Sequence, residues 1–354
     1  MIIQNGISVT MSYKSRTLCL KSSVLSVLLL ICLQGFNQFN FSEVDQALIK
    51  NQKALGNNVV ALIWKDSLLY KKEFGEYFTA KSAAPILSSS NWIAVATIMT
   101  FVDQGKLNLD DPVTKYIPAF GKYAKAYLTI RHCLSQTTGV ENDQGKLLRI
   151  LSKKKFNTLE EEVNALAAKE ISNNPGQEFH YGAIGINIAA RVVEIIGKKG
   201  FDRLASERII RPLKMRGTNF TDENGLAVNP SLGARSTAND YLNFLIMLLN
   251  KGVFDGKKIL SEQSIDEMQK MQFPSLPVKY KPAQMNGFSY GMGEWAQDDA
   301  GGTVFTAPSL TGIWPLIDRT RGYAVVLFTS TILPEEKKEI FWSVKESIDG
   351  IIRK

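Results

Sequence analysis

Hydrophobic and polar positions divide the chain into a β-patterned opening, a long helix-patterned middle and a β-patterned close. Residues 41–55 carry apolar positions at helical spacing, and two apolar runs, 59–64 and 68–74, flank Lys65-Asp66-Ser67. This predicts a helix followed by a hairpin. Helical periodicity then dominates from Trp92 towards Asn250, with helices expected over 158–171, 184–196, 202–210 and 238–249, separated by Gly- and Pro-containing loops. Strand patterns return over 290–295, 303–306, 313–318 and 323–329, and a helix over 335–352 closes the sequence. Strands from the two ends must share one sheet. The pattern therefore predicts an α/β chain of the α+β kind: an antiparallel sheet flanked by the two terminal helices, with an all-α lobe formed by residues 92–250 beside it. A functional site is expected in the cleft between lobe and sheet. No internal repeat or low-complexity segment interrupts this plan.

The first 37 residues follow a different pattern. Lys14, Arg16 and Lys21 precede the apolar run Val24 to Leu33, which ends at Gln34 and Gly35. That is the order of a secretory signal, with Met11 as an alternative start. The run is too short to span a bilayer, so a cleaved signal over 1–37 and a single domain over 38–354 are expected, with a periplasmic or secreted location and no stable membrane span. A lipoprotein reading through Cys32 fits less well, because Ile31 stands where a small residue is needed.

Composition narrows the function classes. The chain has 354 residues, 45% of them hydrophobic, enough for one large core or two lobes sharing one. Without the leader the formal charge falls from +8 to +5, and no arginine-rich or aromatic-interleaved stripe appears. Lys153, Lys154 and Lys155 lie in a polar segment, so nucleic acid is not an expected partner. Cys19 and Cys32 lie in the leader, which leaves Cys133 alone and excludes an intramolecular disulfide. Only two histidines occur, His132 and His180. A histidine-rich metal site is excluded, and no cofactor is expected.

The candidate chemistry centres on residues 86–113, ILSSSNWIAVATIMTFVDQGKLNLDDPV. Four further segments accompany it: LTIRHCLSQTTGV at 128–140, PGQEFHYGAIGINIAARVVEIIGKKGF at 175–201, IIRPLKMRGTNF at 209–220 and NPSLGARSTANDYLNFLIMLLNKGVFDGKKILS at 229–261. Together they resemble the β-lactamase-related serine hydrolases, which comprise class C β-lactamases, DD-peptidases and their esterase relatives. The resemblance runs from about Val59 to the C-terminus. It implies a β-lactamase/transpeptidase-like fold and an acyl-serine mechanism on an ester, amide or cell-wall peptide.

In that family the nucleophile lies in an SxxK motif at a helix N-terminus, and counting back from Gly105 places the serine at Ser88 and the lysine at Asn91. A lysine one turn from the serine returns to the same helix face, where its amine takes the serine proton or biases another group that does. Asn91 keeps that position without the base, since an amide neither accepts a proton near neutral pH nor carries charge. The resemblance makes Tyr181, in Tyr181-Gly182-Ala183 where the family usually has YxN, the proton shuttle. An isolated phenol titrates near ~10 and needs a neighbouring cation to act as a base. The third motif, KTG or HxG on a sheet-edge strand, falls at Ala307-Pro308-Ser309, with neither the basic residue nor the glycine. Ser309 and Thr311 remain as candidate substrate contacts. Weak hydrolysis is one expectation, and a pseudoenzyme that keeps the cleft as a binding surface for a peptide, glycan or protein is the other.

Other matches have less support. Gly287-Phe288-Ser289-Tyr290-Gly291 fits GxSxG, but strand pattern follows where that motif needs a helix. Ser152 to Lys155 fits SxxK without an apolar helix behind it. His180 is the replacement base to test, although neighbours on an extended segment point to opposite sides. The bland alternative for Ser88 is a helix cap, for Tyr181 a packed aromatic with a bonded tip, and for Asp110 and Asp111 a turn.

Overall fold

The computed structural model describes residues 39–352 except 124, 142–155, 221–227, 273–274, 300–301, 310–312 and 332–337. The leader, the lysine run at 153–155 and Thr311 lie outside the described residues.

The hairpin forms as Val59–Lys65 and Ser67–Phe74, turning on Asp66 in the left-handed region (φ 60°). Its first strand pairs antiparallel with Tyr323–Thr329, so the two ends of the chain meet in one sheet. The order across that sheet is Ser67–Phe74, Val59–Lys65, Tyr323–Thr329, Trp314–Asp318, Gly302–Thr306, Trp295–Asp299 and Ser289–Tyr290, every neighbour antiparallel.

Alternation along the central strand shows what covers each face. Ala324, Val326 and Phe328 join the main core, where the helix Ala238–Leu249 packs on the sheet. The opposite face meets the C-terminal helix Lys338–Ile351: the Tyr323 hydroxyl donates to Asp349 (2.6 Å) and Trp314 stacks on Phe341 (4.8 Å between centroids). All seven residues of Tyr323–Thr329 are buried, which accounts for their unbroken apolar run. The N-terminal helix Ser42–Asn51 packs against the C-terminal helix. The terminal helices thus lie together, and a helix of the middle segment covers the other face.

The helical lobe contains Leu159–Ala168, Ile184–Gly197 and Phe201–Ala205, the last running on into a π-helical turn, Ser206–Ile210. Thr158 and Thr237 cap their helices by accepting from the amides of Glu161 and Asp240. At the centre stands Ser90–Asp103, with every residue from Ser90 to Phe101 buried. A helix apolar on all sides belongs inside a protein, and this one is surrounded by lobe and sheet. Gly185 lets Ile184–Gly197 press against Ile130–Leu134, since a Cβ there would lie 2.1 Å from the Cys133 carbonyl oxygen.

The expected strand over 290–295 is two strands, Ser289–Tyr290 and Trp295–Asp299, joined by a turn. Gly293 in that turn has φ +83°, which extended pairing does not allow. Ser289 therefore lies on a sheet edge with no nucleophile elbow.

Candidate active site at the Ser88 helix

The chain enters the central helix through a short 3₁₀ turn, Leu87–Ser89, and Leu87 takes a left-handed conformation (φ 40°). A non-glycine residue held there costs about 1–3 kcal/mol and persists only where its surroundings fix it. Those surroundings are visible. The Ser89 hydroxyl donates to the Ala307 carbonyl, Ser90 Oγ accepts from the Ala234 amide (3.1 Å), and the Tyr241 hydroxyl donates to the Ser89 carbonyl (2.8 Å). No serine side chain caps this helix. Ser88 is half-buried beside Tyr181.

Asn91, three residues on, is 1% exposed and bonded at both ends of its amide. Its Nδ2 donates to the Tyr181 phenol oxygen (3.0 Å), and its Oδ1 accepts from Ser231 Oγ (2.6 Å). The network continues inward: the Ser231 amide donates to Asn187 Oδ1 (3.1 Å), and Asn187 Nδ2 donates to Glu162 (2.9 Å). Burial pushes the Glu162 carboxyl up, only partly offset by Asn187. Because Tyr181 accepts from Asn91, its own proton is left for Ser88 or a ligand.

Tyr181 is buried among aromatic rings, with Trp295 at 5.1 Å and Tyr290 at 5.7 Å between centroids. Burial pushes its pKa up, and hydrogen bonding with Asn91, Ser88 and Trp295 offsets only part of that. At neutral pH the phenol is protonated. It is a hydrogen-bond donor, and no phenolate base stands ready.

Tyr181 follows the short strand Phe179–His180, which runs parallel to Val278–Tyr280. Phe179 shares the rings of Tyr290 and Trp295, whereas His180 faces Tyr280 (6.1 Å). The two residues flanking His180 thus face one side and His180 the other, as a strand requires. His132 lies in the capping box of Ile130–Leu134, and Asp110 and Asp111 pair with Arg131 and Lys115 at the turn after the central helix.

The third-motif segment does not lie at the sheet edge. Gly302–Thr306 is interior, with two further strands beyond it, and Ala307-Pro308-Ser309 leaves the sheet at its end. Ser309 is buried, and its amide already donates to the Ile313 carbonyl (3.0 Å), so that N–H is not available to an oxyanion. Ala307 faces the nucleophile turn through its carbonyl.

Ser88, Asn91 and Tyr181 are brought together, then, from segments 90 residues apart, and Ser309 lies in the loop that follows Gly302–Thr306, two residues beyond the Ala307 carbonyl that meets Ser89. Ser231, Ser89, Tyr290 and Trp295 complete the surroundings. None of these four carried a local signal, because Ser231 meets Asn91 across 140 residues and Ser89 meets Ala307 across 218. Among the described residues no group of three His, Cys, Asp or Glu side chains is placed to hold a metal ion.

A beta-lactamase family model matches residues 46–345. The chain belongs to the beta-lactamase family. A solved structure described as a candidate beta-lactamase from Bacteroides dorei DSM 17855 is 25% identical and superposes with a TM-score of 0.76, covering 89% of this chain and 100% of the other. EstCE1, described as a hydrolase with promiscuous acyltransferase activity, shares the fold at 18% identity, with a TM-score of 0.72 and coverage of 86% and 97%. Protein flp of Staphylococcus aureus (strain MW2) is 24% identical over 151 residues, 42% of this chain and 30% of that protein. The match thus spans under a third of this curated relative. The beta-lactamase family places the molecule among serine hydrolases, and no helix of the described residues is long and apolar enough to cross a membrane.

Proposed function

We propose that this protein is a slow serine hydrolase that forms an acyl intermediate on Ser88 from an ester, amide or peptidoglycan-like substrate. The observation that carries this reading is the convergence of Ser88, Asn91 and the protonated Tyr181 on one uncharged site. In acylation Ser88 Oγ attacks the carbonyl carbon, and the bond to the leaving group breaks. Tyr181 takes the Ser88 proton as it gives its own to the leaving group. Water then releases the acyl group by the reverse relay. With Asn91 in the lysine's place the relay has no base behind it, and general-base assistance is worth ~10²- to 10⁴-fold. Ser309, and Thr311 outside the described residues, are the candidate substrate contacts. The acyl chemistry of EstCE1 supports the reaction class. The pattern of residues 1–37 supports export to the periplasm or medium through a signal peptide that is removed.

The experiment is intact mass after incubation with a fluorophosphonate and a p-nitrophenyl ester, beside Ser88→Ala. An adduct present in the wild type and absent from the variant is the expected result. No adduct on the folded protein would overturn the reading. It would favour a second one, a non-catalytic cleft that binds a peptide, glycan or protein. The double satisfaction of the Asn91 amide by Ser231 and Tyr181 supports that alternative, since the amide is built in as a structural member.

A further inference from the structure

On the far side of Tyr181 the cleft wall opens into a cavity of about 200 Å³, lined by Phe179, Leu276, Phe288, Tyr290, Trp295 and Lys281. A void of about 150 Å³ walled by apolar side chains holds a benzene ring, so this space suits a phenyl or branched alkyl group. Its aromatic walls are mutually braced: Phe179 to Tyr290 is 5.5 Å, Phe179 to Trp295 5.9 Å and Tyr290 to Trp295 4.8 Å between centroids. The same Tyr290 and Trp295 rings contact Tyr181, so cavity and candidate nucleophile site share a partition.

The outer wall is a strap that leads from Leu276 to Lys281. It is tied to the Tyr181 segment by two main-chain hydrogen bonds, Phe179 N–H to the Pro277 carbonyl (2.9 Å) and Tyr181 N–H to the Tyr280 carbonyl (3.0 Å). Met271 and Val278, which also line the cavity, are exposed to 39% and 51%, an apolar lip at its mouth. Among the described residues Lys281 alone brings charge to the lining, and it is half-buried. At the partition the Tyr290 hydroxyl is buried beside Gln136, whose side chain also holds the Gly182 amide (3.0 Å) next to Tyr181. The Lys281 ammonium is a donor with no acceptor role, and an aromatic-walled pocket with one cation in its lining selects an apolar group that carries an acceptor.

We propose that this cavity is a ligand subsite for an aryl or branched-alkyl group bearing one carboxylate, with the ring between Phe179, Phe288 and Trp295 and the carboxylate on Lys281. This names a substrate class for the site and, as a route to turnover, rests on the hydrolase reading above. Binding itself does not need Ser88.

The test is calorimetric titration of the full chain with 3-phenylpropanoate and with its neutral analogue, 3-phenylpropanamide. Wild type and Ser88→Ala are expected to bind the acid alike and the amide more weakly. Lys281→Met is expected to weaken the acid about tenfold, as loss of a charge-assisted contact does, and to leave the amide unchanged. Leu276→Trp, which fills the space from a half-buried position, is expected to weaken both. Equal wild-type affinity for acid and amide, no binding of the acid, or unchanged acid affinity in Lys281→Met would each overturn the proposal. Parallel fluorophosphonate labelling separates the two readings. Binding without labelling of Ser88 sustains the subsite and removes the hydrolase, whereas labelling without binding does the reverse.

Discussion

The two walls of the cleft have different fates in this chain. On the helical side, Asn91, Tyr181, Ser231 and Asn187 form a continuous hydrogen-bonded row without a charged member. On the sheet side, Ala307-Pro308-Ser309 lacks both the basic and the glycine position, and the Ser309 amide is engaged internally. On the proposed reading, the first wall has lost a proton acceptor while keeping its geometry. The other keeps its place through the backbone, by the Ser89 to Ala307 contact. Geometry and reactivity are therefore separable in this site, and each can be altered alone.

The largest expected effect comes from restoring charge. Asn91→Lys should raise the acylation rate with a p-nitrophenyl ester by about 10²-fold or more, read in stopped-flow bursts, because an ammonium beside Tyr181 lowers its pKa and lets the phenolate act as the base. A rate that stays flat would move the defect to the sheet wall. Next is the turn that joins the walls. Gly293→Ala puts a Cβ 2.7 Å from Val95 Cγ2 and 3.0 Å from the Asn91 carbonyl oxygen, at φ +83°. It should lower unfolding free energy by about 2–4 kcal/mol in urea titration. An unchanged midpoint would show that the walls are not welded there.

How much of this was legible beforehand differs along the same line. The hairpin, the helix Ala238–Leu249 and the strand Tyr323–Thr329 follow directly from periodicity, because each is buried on the faces its pattern marks. The strand expected over 290–295 was broken by a turn whose only local sign is the glycine pair Gly291 and Gly293, and the apolar residues around them mask it. The arrangement of the terminal helices together on one face also escaped, since periodicity marks an apolar stripe without naming what covers it. Ser88, Asn91 and Tyr181 were singled out by the family resemblance, and the structure brings them together. Ser231 was not, as its partner is 140 residues away.

Smaller effects sharpen the contrast. Ser231→Ala leaves Asn91 Oδ1 buried without its donor and should cost about 1–3 kcal/mol, measured by denaturant titration. No loss would mean the row on the helical wall is not tightly built. Last is Glu294, buried beside Gln269 and Trp92 at the turn between Ser289–Tyr290 and Trp295–Asp299. Burial pushes its carboxyl well above the ordinary value of 4.5. The folded state then holds a proton that the unfolded chain releases, so stability falls as pH rises above that value and through the raised one. Glu294→Gln should flatten this decline, seen as a Tm gain at pH 8 relative to pH 5. An identical pH profile would show the carboxyl titrating normally.

The amide of Asn91 has one more consequence, written in the genetic code. Asparagine and lysine codons differ only at their third base, and the two groups that now hold the amide, the Ser231 hydroxyl and the Tyr181 phenol, both have lone pairs to offer an ammonium. A single transversion would place a lysine beside those two oxygens. On the proposed reading, the slow form and the restored form of this cleft are adjacent in sequence space, with no intermediate to cross.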